Sequence, residues 1–477
     1  MSSAVPIRVL EAEAFERPVP FRFAFRFGVA KVEAASQAFL RVRIADATGR
    51  EAWGWAAEML MPKWFDKSPD LTPAANVEQL RTSLRLAMDA IGAAGEGTAF
   101  GLHAAIEADH HAACAKAGLN GLIASFGLAL VDRAVIDALG RLEGVSAERL
   151  VATNRLGITG ATARDLADFP FADFLAGLRV PQSIHVRHTV GLGDALDNAD
   201  LNGNRLNDGL PETLQEVIAA YGHSYFKLKV SGDIDADIAR LKRIAAIVER
   251  LQPDYRATLD GNEQFENEAH VVAFLDALEA APELASLREK LIFLEQPIAR
   301  ARALSAPVEN IARRVPLEID ESDADIDAFL RARDLGYRGI SSKSCKGFYR
   351  AILNRARIAR WNAEARDALY FMSAEDLTTQ SGIAVQQDLV LSGLIGARHV
   401  ERNGHHFVDG MANASESEQS AFLAAHGDLY ETRLGRTRLK IENGNVALKS
   451  VRAAPGLGSS VSPEFDAMAP LQPGGDT

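Results

Sequence analysis

The residues of this chain that could do chemistry are three acids and three amines, each near the end of a short apolar run. They are Lys227 and Lys229 in Tyr225-Phe-Lys-Leu-Lys-Val, Asp260 in Thr258-Leu-Asp-Gly-Asn, Glu295 in Phe293-Leu-Glu-Gln-Pro, Asp320 in Leu317-Glu-Ile-Asp-Glu-Ser, and Lys343 in Ile340-Ser-Ser-Lys. Carboxylates without Cys or His alongside are hard oxygen donors that suit Mg²⁺, which keeps positions open for water and substrate. Any one of the three acids alone reads equally well as a helix cap or a surface charge. Three in register on successive strands are better explained by a shared ion. Lys227 and Lys229 stand two apart, so their side chains leave the same face of a strand. Two adjacent ammonium groups need anions nearby, and their crowding and burial are expected to depress the amine pKa and make a general base. Lys343, on a strand further round, would place a second amine across the metal.

The elements that must position these groups follow from the beat of the sequence. From Ser183 onward, apolar runs of strand length alternate with helical stretches: Phe226–Val230, Asp235–Leu251, Arg256–Leu259, Glu268–Ala281, Leu291–Leu294, Ala303–Arg313, Leu317–Ile319, Ala324–Leu335, Gly339–Ser342, Phe348–Trp361, Leu369–Met372 and Ser381–Leu394. Parallel strands need crossovers of this length, so the fold class is α/β, a (β/α)₇₋₈ TIM-like barrel with its chemistry at the carboxyl ends of the strands. The last strand is expected near His399–Phe407, in polar sequence.

Ahead of the barrel, Phe21–Phe27, Ala38–Ile44 and Arg50–Trp55 alternate as an antiparallel meander, and Val77–Gly92, Ala104–Gly118 and Ala124–Gly140 are helical, the last closed by Gly140. Together they predict an α+β cap. The expected division is residues 1–182 for the cap and 183–412 for the barrel, then 413–460 returning to the cap and a disordered tail over 461–477, rich in Pro, Gly and Ser. His103, His110 and His111 read as core or surface histidines, since adjacent residues cannot share a helix face. The polar stretch 197–209 has calcium-loop spacing but Gly209 where a bidentate Glu belongs, so it reads as an insertion loop.

Bulk properties narrow the function classes. The 477 residues carry a net charge of −12 and no basic run, which argues against a nucleic-acid partner. The most apolar window, Gly118–Val131, is too short to span a bilayer, so no membrane partner is expected. Two distant cysteines, Cys114 and Cys345, and no leader-like amino terminus suit a reducing compartment, and the expected location is cytoplasmic.

Lys-x-Lys, Asp-x-Asn, Glu-Gln-Pro, Asp-Glu-Ser and Lys-x-x-Lys-Gly, in this order and spacing, resemble the enolase superfamily and its muconate-lactonizing-enzyme-like subgroup. The helix around Asp132 and the closing Pro455-Gly-Leu-Gly458 are similar too. The resemblance implies Mg²⁺ on Asp260, Glu295 and Asp320, bases at Lys229 and Lys343 on opposite faces of a small carboxylate substrate, and Lys227 neutralising that carboxylate. It places Asn262 and Glu321 beside the ligands, Glu375 at the end of the seventh strand, and implies a homo-oligomer. The shared step is removal of a proton α to a carboxylate, leading to racemisation or epimerisation, cycloisomerisation or β-elimination. Departures from the pattern are a long stretch between Asp260 and Glu295, one glycine after Lys346, no Asp-x-Asp after the eighth strand, and no His-Asp pair on the seventh, which disfavours mandelate-type chemistry. The alternative is a barrel that binds a carboxylate ligand or a protein partner without turnover. Specificity is expected from the cap around Phe27–Lys31 and Trp55–Glu58.

Overall fold

The computed structural model describes residues 4–27, 30–367, 369–377 and 379–471. Strands β1 (Ile7–Phe27), β2 (Ala30–Asp46) and β3 (Glu51–Met59) form an antiparallel meander, with Phe15 opposite Phe39 and Val42 opposite Gly54. Asp46 closes the second turn by accepting from the backbone of Thr48 and Arg50, while Gly49 takes a φ of 85° that a side chain would strain. Helices α1 (Pro73–Ala93), α2 (Ala99–Lys116) and α3 (Gly121–Glu143) complete the cap. The apolar window belongs to α3, which is buried continuously from Leu122 to Gly140. The sheet and the helix meet backbone to backbone: a Cβ on Gly54 would stand 2.1 Å from the Ala138 nitrogen. Gly140 does not cap α3 as expected, since the helix runs on to Glu143 and ends at Gly144, whose φ is 67°. Gly140 instead makes room for the backbone of Gly456, returning from the far end of the chain.

Eight parallel strands follow: β4 (Ser183–Val190), β5 (Tyr225–Lys229), β6 (Arg256–Asp260), β7 (Leu291–Glu295), β8 (Leu317–Ile319), β9 (Gly339–Lys343), β10 (Phe371–Glu375) and β11 (His399–Glu401). Each pairs with the next, and β11 pairs back onto β4 with Val400 opposite Val186, which closes the barrel at eight. The crossovers include α4 (Leu214–Tyr221), α5 (Ile234–Leu251), α6 (Glu268–Ala280), α7 (Ala328–Asp334), α8 (Phe348–Ala365) and α9 (Ile383–Leu394). The predicted helix over 303–313 is instead two short turns, Arg300–Ala303 and Glu309–Ala312, because Pro307 falls between them. The strands' outer faces supply Phe226, Leu228, Leu259 and Leu294 to a core shared with Leu241, Ile244, Val271 and Phe274 of the helices. Only the inner face is left for charge.

The chain then returns to its beginning. Strand β12 (Asn445–Ala447) pairs antiparallel with β4, and β13 (Ala469–Pro470) joins β1 with Pro470 opposite Phe15. The expectation of a disordered tail from residue 461 is therefore corrected up to Leu471. Phe465 and Met468 are buried in the cap core, and the Phe465 ring lies 5.3 Å from that of Phe15. Anchoring by these two side chains outweighs the Pro and Ser around them; residues 472–477 lie outside the described ones.

The polar stretch 197–209 is a turn-rich loop that ties the barrel to the cap: Asp208 accepts from Arg22 of β1 at 2.6 Å, and Arg243 of α5 reaches Asp200 at 2.8 Å. His103 is a core residue 2.9 Å from Asp132, and His110 is bonded to the Ala124 carbonyl at 2.8 Å. Among the described residues, no helix is long and apolar enough to cross a membrane.

Candidate active site

Every predicted site residue ends at the same mouth of the barrel. Lys227 and Lys229 project inward from β5, and Lys227, 1 % exposed, is the hub. Its ammonium lies 2.9 Å from Asp260, 2.8 Å from Glu295, 2.8 Å from Glu375 and 2.9 Å from Glu401. Lys229 donates to the Asp260 carboxylate and to the Asn262 amide oxygen, both at 2.5 Å. Lys343, at the end of β9, donates to Asp320 at 2.8 Å and Glu375 at 2.5 Å. In a closed ring of eight strands, β5 and β9 are the second and sixth, so these two amines face each other across the barrel.

The loops after the strands are bent to serve this cluster. Asn262, Glu263 and Gln296 have φ of 43°, 70° and 31°, the left-handed region that costs a non-glycine residue about 1–2 kcal/mol. The bend lets the Asn262 backbone donate to Asp260 at 2.7 Å while its side chain faces Lys229. Gln296 accepts from the backbone of Asp320 and Ser322 and donates to the Ile298 carbonyl, locking the ends of β7 and β8 together.

Electrostatics inside the cluster run against one expectation. Lys227 and Lys343 are not depressed bases: burial pulls their pKa down, but the surrounding carboxylates outweigh it and hold both well above the ordinary lysine value. The acids outnumber the amines, a balance that the spacing of the strand-end motifs does not disclose. Burial, then Asp260 and Glu375, push the Glu295 carboxyl well up. Asp320 is lowered despite burial because Lys343 and Lys346 adjoin it, and Glu375 is lowered well below its usual range by Lys227 and Lys343. Glu321 is raised, chiefly by burial.

Glu295, Asp320 and Glu375 each offer an oxygen within 4.8 Å of the other two, a donor set that could hold a metal. These are hard, buried oxygens with no sulfur or imidazole among them, so their chemistry fits a small divalent cation such as magnesium. Glu375 thus joins Glu295 and Asp320 in the tightest group, while Asp260 turns one oxygen to both Lys227 and Lys229.

Several residues of the site were not anticipated. Glu401, at the end of β11, bonds to Lys227 and accepts from Thr189 and, at 2.7 Å, from Asn403. Arg187 of β4 is fully buried and reaches Glu375 at 2.8 Å, and Glu318 below it, accepting from Ser373 at 2.7 Å, is raised to about 8, mainly by burial. Lys346 donates to the carbonyls of Asp320 and Ser341, both at 2.8 Å. A charged residue inside a polar, three-residue strand such as β11 gives little periodicity to find it by.

The cap closes over the mouth with a different segment from those expected. Met61 and Trp64 line the cavity above Lys229 and Lys343, and the Lys343 ammonium stands 5.1 Å from the Trp64 ring. Lys67 is 2.5 Å from Glu263 and 3.3 Å from Glu321, and Arg300 donates to the Trp64 and Phe65 carbonyls at 2.9 Å. Trp55 and Glu58 are not at the mouth: Trp55 packs under Arg141 at 3.7 Å, and Glu58 pairs with Arg133 at 3.2 Å. Of the Phe27–Lys31 segment, residues 28 and 29 and the side chains of the rest lie outside the described ones.

No curated protein matches the chain by sequence. Solved structures share its fold. The muconate lactonizing enzyme of Pseudomonas fluorescens, complexed with muconolactone, is 17% identical with a TM-score of 0.58, covering 98% of both chains. The dipeptide epimerase of Enterococcus faecalis V583, complexed with Mg and L-Leu-L-Tyr, is 16% identical with a TM-score of 0.58, covering 94% of this chain and 99% of the other. An enolase from Bradyrhizobium, complexed with magnesium and mandelic acid, is 16% identical with a TM-score of 0.58 and covers 98% of both. Residues 209–465, more than half of the chain, match the model of the enolase C-terminal domain-like family. With that match, and a capped eight-stranded barrel carrying acids and lysines at its strand ends, the chain belongs to the enolase superfamily, in its mandelate racemase/muconate lactonizing enzyme branch.

Proposed function

We propose that this chain is a magnesium-dependent enzyme that removes the proton α to the carboxylate of a small acid, and that racemisation or epimerisation, cycloisomerisation or β-elimination follows. The observation that carries the reading is the pair of inward amines, Lys229 and Lys343, on strands facing each other across a buried group of carboxylates. A substrate carbon held between them would meet one amine on each face. Asp260, Glu295, Asp320 and Glu375 would hold the magnesium, which would polarise the substrate carboxylate and offset the charge of the enolate. Lys227 adds fixed positive charge beside the same carboxylates, and preorganised charge of this kind stabilises an anionic transition state without reorganisation. Asn262 orients the Lys229 amine, and Glu321, between Lys67 and Asn262, links that side to the cap. Trp64 and Met61, which line the cavity with the two lysines, would limit the access of water from above. The chain is further proposed to act as a cytoplasmic homo-oligomer.

The test is exchange of the α-proton with deuterated solvent across a library of small carboxylic acids, followed by NMR. Exchange that requires added Mg²⁺, is stopped by chelation, and is absent from the double variant Lys229→Ala/Lys343→Ala is the expected result. Exchange persisting in the double variant would refute the assignment of the bases. Mg²⁺-dependent binding of an acid with no exchange would instead favour a binding barrel.

A further inference from the structure

A second cluster of ligating side chains lies outside the barrel. Strand β4 turns Arg187 and Thr189 toward the interior, so His188 between them faces outward. There it meets His223, from the turn between α4 and β5, and His405, from α10 (Gly404–Phe407) just beyond β11. The His188 and His223 rings stack 5.3 Å apart at 12°, and His405 stands 5.7 Å from the first and 5.4 Å from the second. One nitrogen of each ring lies within 4.8 Å of the other two.

These nitrogens are short of partners. His188 is 3% exposed and His223 0%, yet Nδ1 of His188 and both nitrogens of His405 are shielded from solvent without a hydrogen bond among the described residues. The His223 ring has the backbone of Val186 as a neighbour and hydrogen-bond partner, which leaves its other nitrogen free to turn toward the cluster. A neutral imidazole has one donor and one acceptor, and each one buried unpaired costs about 1–3 kcal/mol. Packing of rings for its own sake would be served as well by Phe at no such cost.

We propose that His188, His223 and His405 form a transition-metal site of the zinc class on the outer face of the first barrel strand. Three imidazoles and no carboxylate select a borderline ion such as Zn²⁺ over Mg²⁺, which prefers oxygen. Tetrahedral zinc holds nitrogens at about 2.0–2.1 Å and so roughly 3.4 Å from each other, a spacing that modest ring rotations reach from the present one. Burial, with mutual repulsion and Arg22 in part, keeps these rings and His406 in the neutral form that binds metal, His406 at about 3. The ion would pin β4, the α4–β5 turn and α10 together. α10 is also where the cap rests, since the Phe23 ring is 4.8 Å from His406 and Arg22 donates to the His406 carbonyl at 2.6 Å. The site therefore belongs to assembly of the cap on the barrel rather than to turnover.

Untagged full-length protein, stripped of metal and held in excess Mg²⁺, is titrated with Co²⁺ as a visible probe and then with Zn²⁺. One equivalent of Co²⁺ with tetrahedral absorption, displaced by Zn²⁺, absent from His223→Gln and His405→Gln and kept in Glu295→Gln, is the expected pattern. His188→Gln serves as the third variant if circular dichroism shows one of the others unfolded. The proposal is overturned by the lack of a tetrahedral band, by a band that survives in the histidine variants, or by one lost only in Glu295→Gln. Because the readout is metal stoichiometry, it stands or falls independently of the proposed activity.

Discussion

The two amines that face each other across the barrel are supported in different ways. Lys229 has one carboxylate and one neutral amide, Asp260 and Asn262, and behind Asn262 come Glu321 and then Lys67 of the cap. Lys343 has two carboxylates, Asp320 and Glu375, and behind Asp320 comes Lys346, bonded to barrel backbone. One flank is tied through hydrogen bonds and an ion pair to Lys67 of the cap; the other is bonded inside the barrel and meets the cap at the Trp64 ring. A change at Lys67 should therefore register on the Lys229 side first, and a change at Lys346 on the Lys343 side.

The largest effect should come from removing what the two flanks share. Glu295→Gln or Asp320→Asn is expected to lower solvent exchange of both enantiomers of a substrate by about a thousandfold or more, and to abolish the rise in melting temperature on adding Mg²⁺. Exchange at near-normal rate in both variants would show that the acids only balance the lysines. Next come the single lysines. Lys229→Ala and Lys343→Ala should each lose exchange of one enantiomer, by about 10²–10⁴-fold, and retain the other; loss of the same enantiomer in both would mean that the amines act on one face.

Smaller changes sharpen the contrast. Lys346→Met leaves two buried carbonyls without their donor and should cost about 2 kcal/mol in denaturant unfolding, with roughly tenfold slower exchange confined to the Lys343 enantiomer. Equal slowing of both enantiomers would contradict a barrel-side support. Lys67→Met, at a partly exposed ion pair, should change stability by less than about 1 kcal/mol and raise KM several-fold, with the Lys229 enantiomer affected more. Steady-state kinetics on the two enantiomers separates that outcome from a uniform loss of packing.

Much of this was legible because a parallel strand buried on both faces reads as an unbroken apolar run, so the first charge after it stands out. Lys227, Asp260, Glu295 and Lys343 announce themselves in this way, and the barrel follows from their recurrence. Glu401 does not, because β11 is three residues long and polar on either side. Arg187 sits inside β4 with a histidine on each side of it at two positions or fewer, and nothing local tells an inward arginine from an outward one. The raised pKa of Lys227 and Lys343 is not legible locally, since it comes from carboxylates that other strands bring to them. Long-range return of the tail was hidden for a similar reason: Phe465 and Met468 are two apolar residues in a Pro-rich stretch, and only the cap core they enter makes them decisive.

Pairing of residues 15–16 with 469–470 has a consequence for how the molecule is made. The meander of the cap emerges early in synthesis, but the strand that finishes it is produced after the whole barrel. Until then an edge of β1 and the hollow that Phe465 fills stay open, so the cap must wait, incompletely assembled, while more than four hundred residues fold beside it. Completion of the cap sheet is thereby deferred until after the barrel strands have been made.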